Sequence, residues 1–290
     1  MWLPVASAPV AGYPCGLRPL RLIPTLSRPP WGGVRLSRLG KGEGNIGESW
    51  EVWRENVVAG EGKPFGEVAD FPLLVKLLDT RERLSVQVHP DAVQARAIAG
   101  APHGKAEAWV VLEAEPGARI AYGLNRELSE AELRERAESG AIEDDLFWLE
   151  PKAGDVIDVP PGTIHAIGPG LFLYEVQEPI DLTWRLYDWG RGRPLHLAEA
   201  CAVARRTPSP NPWREPVRVS ELVVRLIEGP HFVIERVTLP LTRQGWESLT
   251  LLSGAATVGE EHLAPGETVM LPPGLWHVEG EGEALVARPR

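Results

Sequence analysis

The stretch Gly154-Asp-Val-Ile-Asp-Val-Pro-Pro-Gly162-Thr-Ile-His165 returns later in the chain as Gly266-Glu-Thr-Val-Met-Leu-Pro-Pro-Gly274-Leu-Trp-His277. Both copies obey the spacing G-x5-P-x-G-x2-H. An apolar run that stops at Pro-x-Gly reads as a strand ending in a tight turn, with the histidine on the strand that returns. Side chains alternate across a strand, so the turn decides which way that histidine points, and here it points inward. Two copies in one chain imply two related β-units.

The spacing resembles the second conserved motif of the cupin superfamily. That resemblance implies a mainly β fold of two cupin (jelly-roll) β-barrels with a few short helices. The punctuation of the chain agrees, with 28 prolines and 30 glycines cutting it into short segments. Apolar or alternating runs over 73–79, 84–89, 108–115, 155–160, 171–177 and 181–188 predict one series of strands. Runs over 223–228, 232–239, 249–253, 268–271 and 284–287 predict a second. Helices are expected over 90–99, from the capping box Ser129-Glu-Ala-Glu132 to about Ser139, and beyond Pro194. The expected organisation is a flexible extension over 1–18, an N-terminal catalytic domain with a helical insert over 19–206, a proline-rich linker over 207–216, and a C-terminal domain lacking a metal site over 217–290.

The two halves differ in chemistry. Glu247, followed by Gly254, fits the tail of a first cupin motif, but Leu239-Pro-Leu-Thr-Arg-Gln-Gly-Trp246 ahead of it contains no histidine. Glu247 and His277 alone are too few for a competent metal site.

Composition narrows the function. The 290-residue chain is 43% hydrophobic, enough for a substantial core, and its net charge of −10 argues against general nucleic-acid binding. A small anion can still be held where a few cations converge. The two cysteines, Cys15 and Cys201, suit a reducing cytoplasm better than a disulfide framework. No apolar run approaches the roughly 18–20 residues of a membrane span. Oligomeric state is not readable.

Gln87 and His89 in Leu84-Ser-Val-Gln87-Val-His89-Pro90 share one face of a strand. Glu107 sits just before the next apolar strand, and His165 follows the Pro-Pro-Gly turn. Two imidazoles, a carboxylate and an amide oxygen make a donor set that suits one zinc ion per chain with positions left open; iron, manganese or cobalt also fit it. Lys76 in the otherwise apolar Leu73-Leu-Val-Lys76-Leu-Leu78 is hard to explain by packing alone. Lys105 lies in a glycine-flanked loop, and Arg185 has Asp181 and Asp188 nearby in sequence as possible partners.

The strings Pro30-Trp-Gly-Gly33, Ile46-Gly-Glu-Ser-Trp50, Gln87-Val-His-Pro90, Gly104-Lys-Ala-Glu-Ala-Trp109 and Gly162 to Arg191 resemble the type I mannose-6-phosphate isomerase family in its short bacterial form. The resemblance runs from about Pro19 to the C-terminus. It implies a zinc held by Gln87, His89, Glu107 and His165, and reversible interconversion of mannose 6-phosphate and fructose 6-phosphate through an enediol-type intermediate. Lys76, Lys105 and Arg185 then fall to phosphate and oxyanion contacts, with Lys105 and Arg185 catalytic. Glu175 becomes a partner for a sugar hydroxyl; Glu48 and Asp188 are weaker candidates. The proton-transfer base is not identified. The rival reading is a non-catalytic or differently specific metal-binding sugar-phosphate cupin. Other cupin enzymes carry a close His-x-His with the glutamate a few residues on, a layout from which Gln87, His89 and Glu107 depart.

Overall fold

The computed structural model describes residues 18–290. Apart from Arg18, the expected N-terminal extension lies outside the described residues.

The fold is mainly β. Its N-terminal half is a sandwich of a six-stranded and a five-stranded sheet. At the centre of the first sheet, Leu171–Gln177 lies between Glu107–Ala114 and Leu74–Thr80, all antiparallel. Leu74–Thr80 and Leu171–Gln177 are buried at every position, as a strand covered on both faces must be. The second sheet runs Trp184–Tyr187, Val86–Val88, His165–Ile167, Ile120–Leu124, Leu146–Leu149. Leu78, Trp109, Val111 and Leu173 of the first sheet pack on Ile120, Tyr122 and Ile167 of the second.

Register brings the chemistry together. Across the first sheet Trp50 stands opposite Lys76, Lys76 opposite Glu175, and Glu175 opposite Trp109. Across the second, Arg185 stands opposite Gln87, and Gln87 opposite His165. Two rows of polar side chains thus line one sandwich, which is why residues scattered over a hundred positions can meet.

The helices are short. Glu130–Ser139 starts at the expected capping box on Ser129, and Ala92–Ala99 at a second box in which Asp91 caps Gln94. Leu197–Val203 buries Ala200, Cys201 and Val203 against the outer side of the second sheet. The segment 207–216, expected as a linker, is tied down. Asp158 donates its amide to the Pro212 carbonyl (3.1 Å), Arg214 pairs with Asp158, and Trp213 packs against the sandwich core.

The C-terminal half has its own apolar core, built from Val237, Leu249, Leu251, Val258, Val269 and Val286 among others. Phe232–Gln244 and Leu275–Pro289 pair along nearly their whole length. The C-terminal sheet is completed by the N-terminus: Leu20–Ile23 pairs with Thr268–Leu271 on one side and Val57–Val58 on the other. Hydrogen bonding therefore crosses the expected boundary between halves. Among the described residues, no helix is long and apolar enough to cross a membrane.

Candidate metal centre and substrate cavity

His89, Glu107 and His165 converge inside the N-terminal sandwich, with possible ligand atoms all within 4.8 Å of one another. His165 Nε2 is 3.4 Å from Glu107 Oε1, and His89 Nε2 is 3.6 Å from Glu107 Oε2. Each imidazole is oriented from behind. His89 Nδ1 donates to the Leu182 carbonyl (3.1 Å) and His165 Nδ1 to that of Thr163 (2.9 Å). With the proton on Nδ1, each Nε2 lone pair faces Glu107, the arrangement that prepares histidine for a metal.

Burial keeps the rings neutral. It drives His89 well below its ordinary range, with Lys105, His165 and Lys76 adding repulsion. Burial also lowers His165 to about 4. Glu107 is pushed up to about 7, mainly by burial and against the pull of Lys105. Its Oε2 is buried and accepts no hydrogen bond of good geometry. Two neutral imidazoles and an under-satisfied carboxylate form a site in want of a cation, so the residues fit a divalent metal.

Lys105 answers part of that want. Although sequence alone suggested a solvated loop, the side chain is buried, with Nζ 3.0 Å from Glu107 Oε2 and 3.1 Å from His89 Nε2. Gln87 lies beside His165 in the ladder; its amide nitrogen donates to Ser85 Oγ (3.2 Å), leaving the oxygen as the free acceptor.

A cavity of about 320 Å³ opens beside this cluster, lined among others by Gln87, Lys105, Glu107, His165 and Arg185. Lys76 also lines it and is caged by carboxylates, 3.2 Å from Glu175 and 3.6 Å from Glu48, with its ammonium 4.8 Å from the Trp50 ring centre. Burial alone would lower the Lys76 pKa, but Glu175, Glu48, Glu107 and Asp181 outweigh it and hold it up. Burial likewise opposes the charge on Glu175, yet Lys76 and Lys105, with a hydrogen bond from Trp109 Nε1 (2.9 Å), keep it below the usual range. Arg185 pairs with neither Asp181 nor Asp188. Its Nη1 donates to the Pro194 carbonyl (2.7 Å), and its buried Nε has no acceptor.

The structure therefore gathers every expected site residue into one sandwich, with Glu48 at the cavity wall. Asp188 stands apart, taken up by Arg191 and Arg193. Sequence reasoning missed the role of Trp109 as a support for Glu175. Alternation from Glu107 places Trp109 on the same face and was a signal for it. Arg193 was also missed; it lies in an irregular loop, where no periodicity marks it.

Comparison with known proteins agrees. Residues 45–121 match the model of the phosphomannose isomerase type I catalytic domain. The chain is 35% identical over 240 residues to a mannose-6-phosphate isomerase of Streptococcus mutans, covering 75% of this chain and 74% of that one. It is 33% identical over 263 residues to a mannose-6-phosphate isomerase of Bacillus subtilis, covering 83% and 81%. Its fold is similar to the crystal structure of the mannose 6-phosphate isomerase from Bacillus subtilis, with a TM-score of 0.81 and 27% identity over 93% of this chain and 99% of that one.

Proposed function

This chain belongs to the type I mannose-6-phosphate isomerase family, and we propose that it interconverts mannose 6-phosphate and fructose 6-phosphate in the N-terminal cavity, using one divalent metal ion, zinc, held by Gln87, His89, Glu107 and His165. The observation that carries this reading is the convergence of His89, Glu107 and His165 beside a cavity lined by the buried lysines Lys76 and Lys105. Zinc is favoured by the mixed imidazole and carboxylate donors. The cysteine usage supports a cytoplasmic enzyme.

Isomerisation moves a proton between C1 and C2 and develops negative charge on an oxygen. When bound, the ion polarises that oxygen and lowers the cost of the charge. His89 and His165 offer neutral, oriented lone pairs, and Glu107 supplies the anionic donor. The His89 lone pair cannot serve both a metal and Lys105. Lys105 already lines the cavity, where its ammonium and Arg185 would face the developing oxyanion with a metal held by His89, Glu107 and His165. The Lys76–Glu175 pair, locked in charge by its neighbours, contacts the sugar phosphate without exchanging its proton.

The test is turnover of mannose 6-phosphate before and after chelation, with metal analysis of the purified protein. Chelation, or His165→Ala, is expected to remove the metal and reduce kcat by roughly a thousandfold or more, with zinc restoring the chelated enzyme. Undiminished turnover by metal-free protein overturns the proposal.

A further inference from the structure

Lys105 and Glu107 flank Ala106 at the start of the strand Glu107–Ala114. Register carried one residue beyond the pair Gln177–Glu107 sets Ala106 opposite Glu178. One of the two bonds expected of such a pair is present, the Glu178 amide donating to the Ala106 carbonyl (3.1 Å). The return bond is not made by the backbone. The Glu178 carbonyl is turned aside into a three-residue turn, where it accepts from the Ile180 amide (2.7 Å) and from Gln177 Nε2 (3.1 Å). The Ala106 amide donates instead to the side chain of Glu178, with Oε2 at 2.9 Å. A carboxylate stands in for the missing rung of the ladder.

The clamp is buried and braced on several sides. Lys105, Ala106, Glu107 and Glu178 are all buried, so an unpaired amide at Ala106 would be poorly hydrated. Gln177, fully buried, also donates Nε2 to the Ile180 carbonyl (2.6 Å), which fixes the turn that draws the Glu178 carbonyl aside. The second carboxylate oxygen, Oε1, lies 3.5 Å from Nδ1 of His231, which immediately precedes the strand Phe232–Gln244 of the C-terminal half. Lys105 in turn donates its amide to the carbonyl of Pro90 (2.9 Å), the residue after His89. Farther along the Glu178 segment, the Leu182 carbonyl accepts from His89 Nδ1. One stretch of chain, 177–182, therefore touches the supports of His89 and of the Lys105–Glu107 pair alike.

We propose that Glu178 is a positioning residue for the isomerase: by replacing a backbone rung at Ala106, it holds the Glu107 carboxylate and the Lys105 ammonium where metal and substrate need them. Lys105 and Glu107 lie two residues apart, so their side chains share the cavity face while that of Ala106 faces away. A rotation of the chain at Ala106 moves both together. Misplacement by about 1 Å at such a site costs on the order of a hundredfold in rate. Alanine at position 178 offers no acceptor to the Ala106 amide. Glutamine does, giving its amide oxygen to Ala106 and its NH2 group to His231. The identity of the reaction affected rests on the sugar-phosphate reading above, whereas the clamp holds Lys105 and Glu107 whatever the substrate.

The test compares wild type with Glu178→Ala and Glu178→Gln, each checked for native thermal unfolding. Hydrogen exchange of the Ala106 amide is read first, in the metal-free protein. Glu178→Ala is expected to speed that exchange roughly tenfold or more, and Glu178→Gln to restore most of the protection. Zinc affinity, measured by competition with a chromogenic chelator, and kcat for mannose 6-phosphate should each fall roughly 10- to 100-fold in Glu178→Ala and recover in Glu178→Gln. Glu178→Asp, which keeps the charge but is one methylene too short, should behave like Glu178→Ala and replaces it if that variant does not fold. Unchanged zinc affinity and kcat in a folded Glu178→Ala overturn the proposal, even if exchange at Ala106 quickens, because Glu178 is then structural only. A Glu178→Gln variant no better than alanine overturns it too. Should the wild type not turn over mannose 6-phosphate, the isomerase reading fails while exchange and zinc affinity still decide on Glu178. Losses of both in Glu178→Ala that glutamine repairs sustain the positioning role; unaltered zinc affinity removes it.

Discussion

Glu247, the C-terminal counterpart of Glu107 by motif, meets a guanidinium instead of imidazoles. Arg243 donates to both its oxygens (2.8 and 2.7 Å) and to Glu235 (2.9 Å), and both carboxylates are buried. His277, the repeat's histidine, is exposed and hydrogen-bonded to Thr242 (2.8 Å). A positive charge on the protein itself thus satisfies the carboxylate in this half. Arg243→Met should strand two buried anions and destabilise the chain by about 3–5 kcal/mol, read from urea unfolding. The double variant Arg243→Met, Glu247→Met should recover part of that loss; no recovery refutes the pairing account. Asp188 supplies a pH counterpart. Burial works against its charge, but Arg193 and Arg191 hold its pKa below the ordinary 3.8. A depressed carboxylate contributes stability that is present above its unfolded pKa and lost as pH falls through the folded one. The stability gap between wild type and Asp188→Asn should therefore be full at pH 7 and shrink below about pH 4; a constant gap in denaturation midpoints contradicts this. The candidate cluster was legible at this scale where its residues alternate along a short string, as Gln87 and His89 do. The absence of histidine before Glu247 was equally legible. What Arg243 does instead was not, because a lone arginine carries no spacing signal.

Elements were read well where apolar runs end in turn residues, and less well where a strand passes through an interruption. The strand read over 232–239 extends to Gln244, because Pro240 sits where the ladder shifts between Leu239 and Leu241 and no amide hydrogen is required of it. The strand read over 284–287 begins at Leu275 and runs through Gly280 and Gly282, whose positive φ values of 117° and 112° let it bend. Leu20–Ile23, bounded by Pro19 and Pro24, was too short to register as a strand. The Pro-Pro-Gly turn that decided the fold has a concrete requirement. Gly162 has φ 82°, and a Cβ there would lie 3.0 Å from the Val203 carbonyl oxygen. Gly162→Ala should cost about 1–3 kcal/mol of stability and weaken zinc retention, because the turn sets the approach of His165. Unaltered unfolding and metal content in that variant would show that the turn tolerates the side chain.

At the scale of the molecule, the halves are joined by a shared apolar cluster beside the core of each. Leu20, Leu22, Val75 and Tyr174 pack in the same cluster as Ile227, Phe232, Met270 and Leu285. Sequence located the two units from their repeated turns but gave no sign of this join, since pairing between distant strands leaves no local pattern. The chain is expected to unfold in urea as one cooperative transition, coincident by tryptophan fluorescence and far-ultraviolet circular dichroism. Two separated transitions would mean that the halves fold independently. The strand Leu20–Ile23 also sets a schedule for biosynthesis. It leaves the ribosome about 250 residues ahead of its partner around Met270. At about 5–20 residues per second, it waits roughly 10–50 s with its edge unpaired. A ribosome that stalls late releases a chain whose N-terminal half carries an orphan strand, an open edge of the kind that chaperones shield and that aggregates recruit.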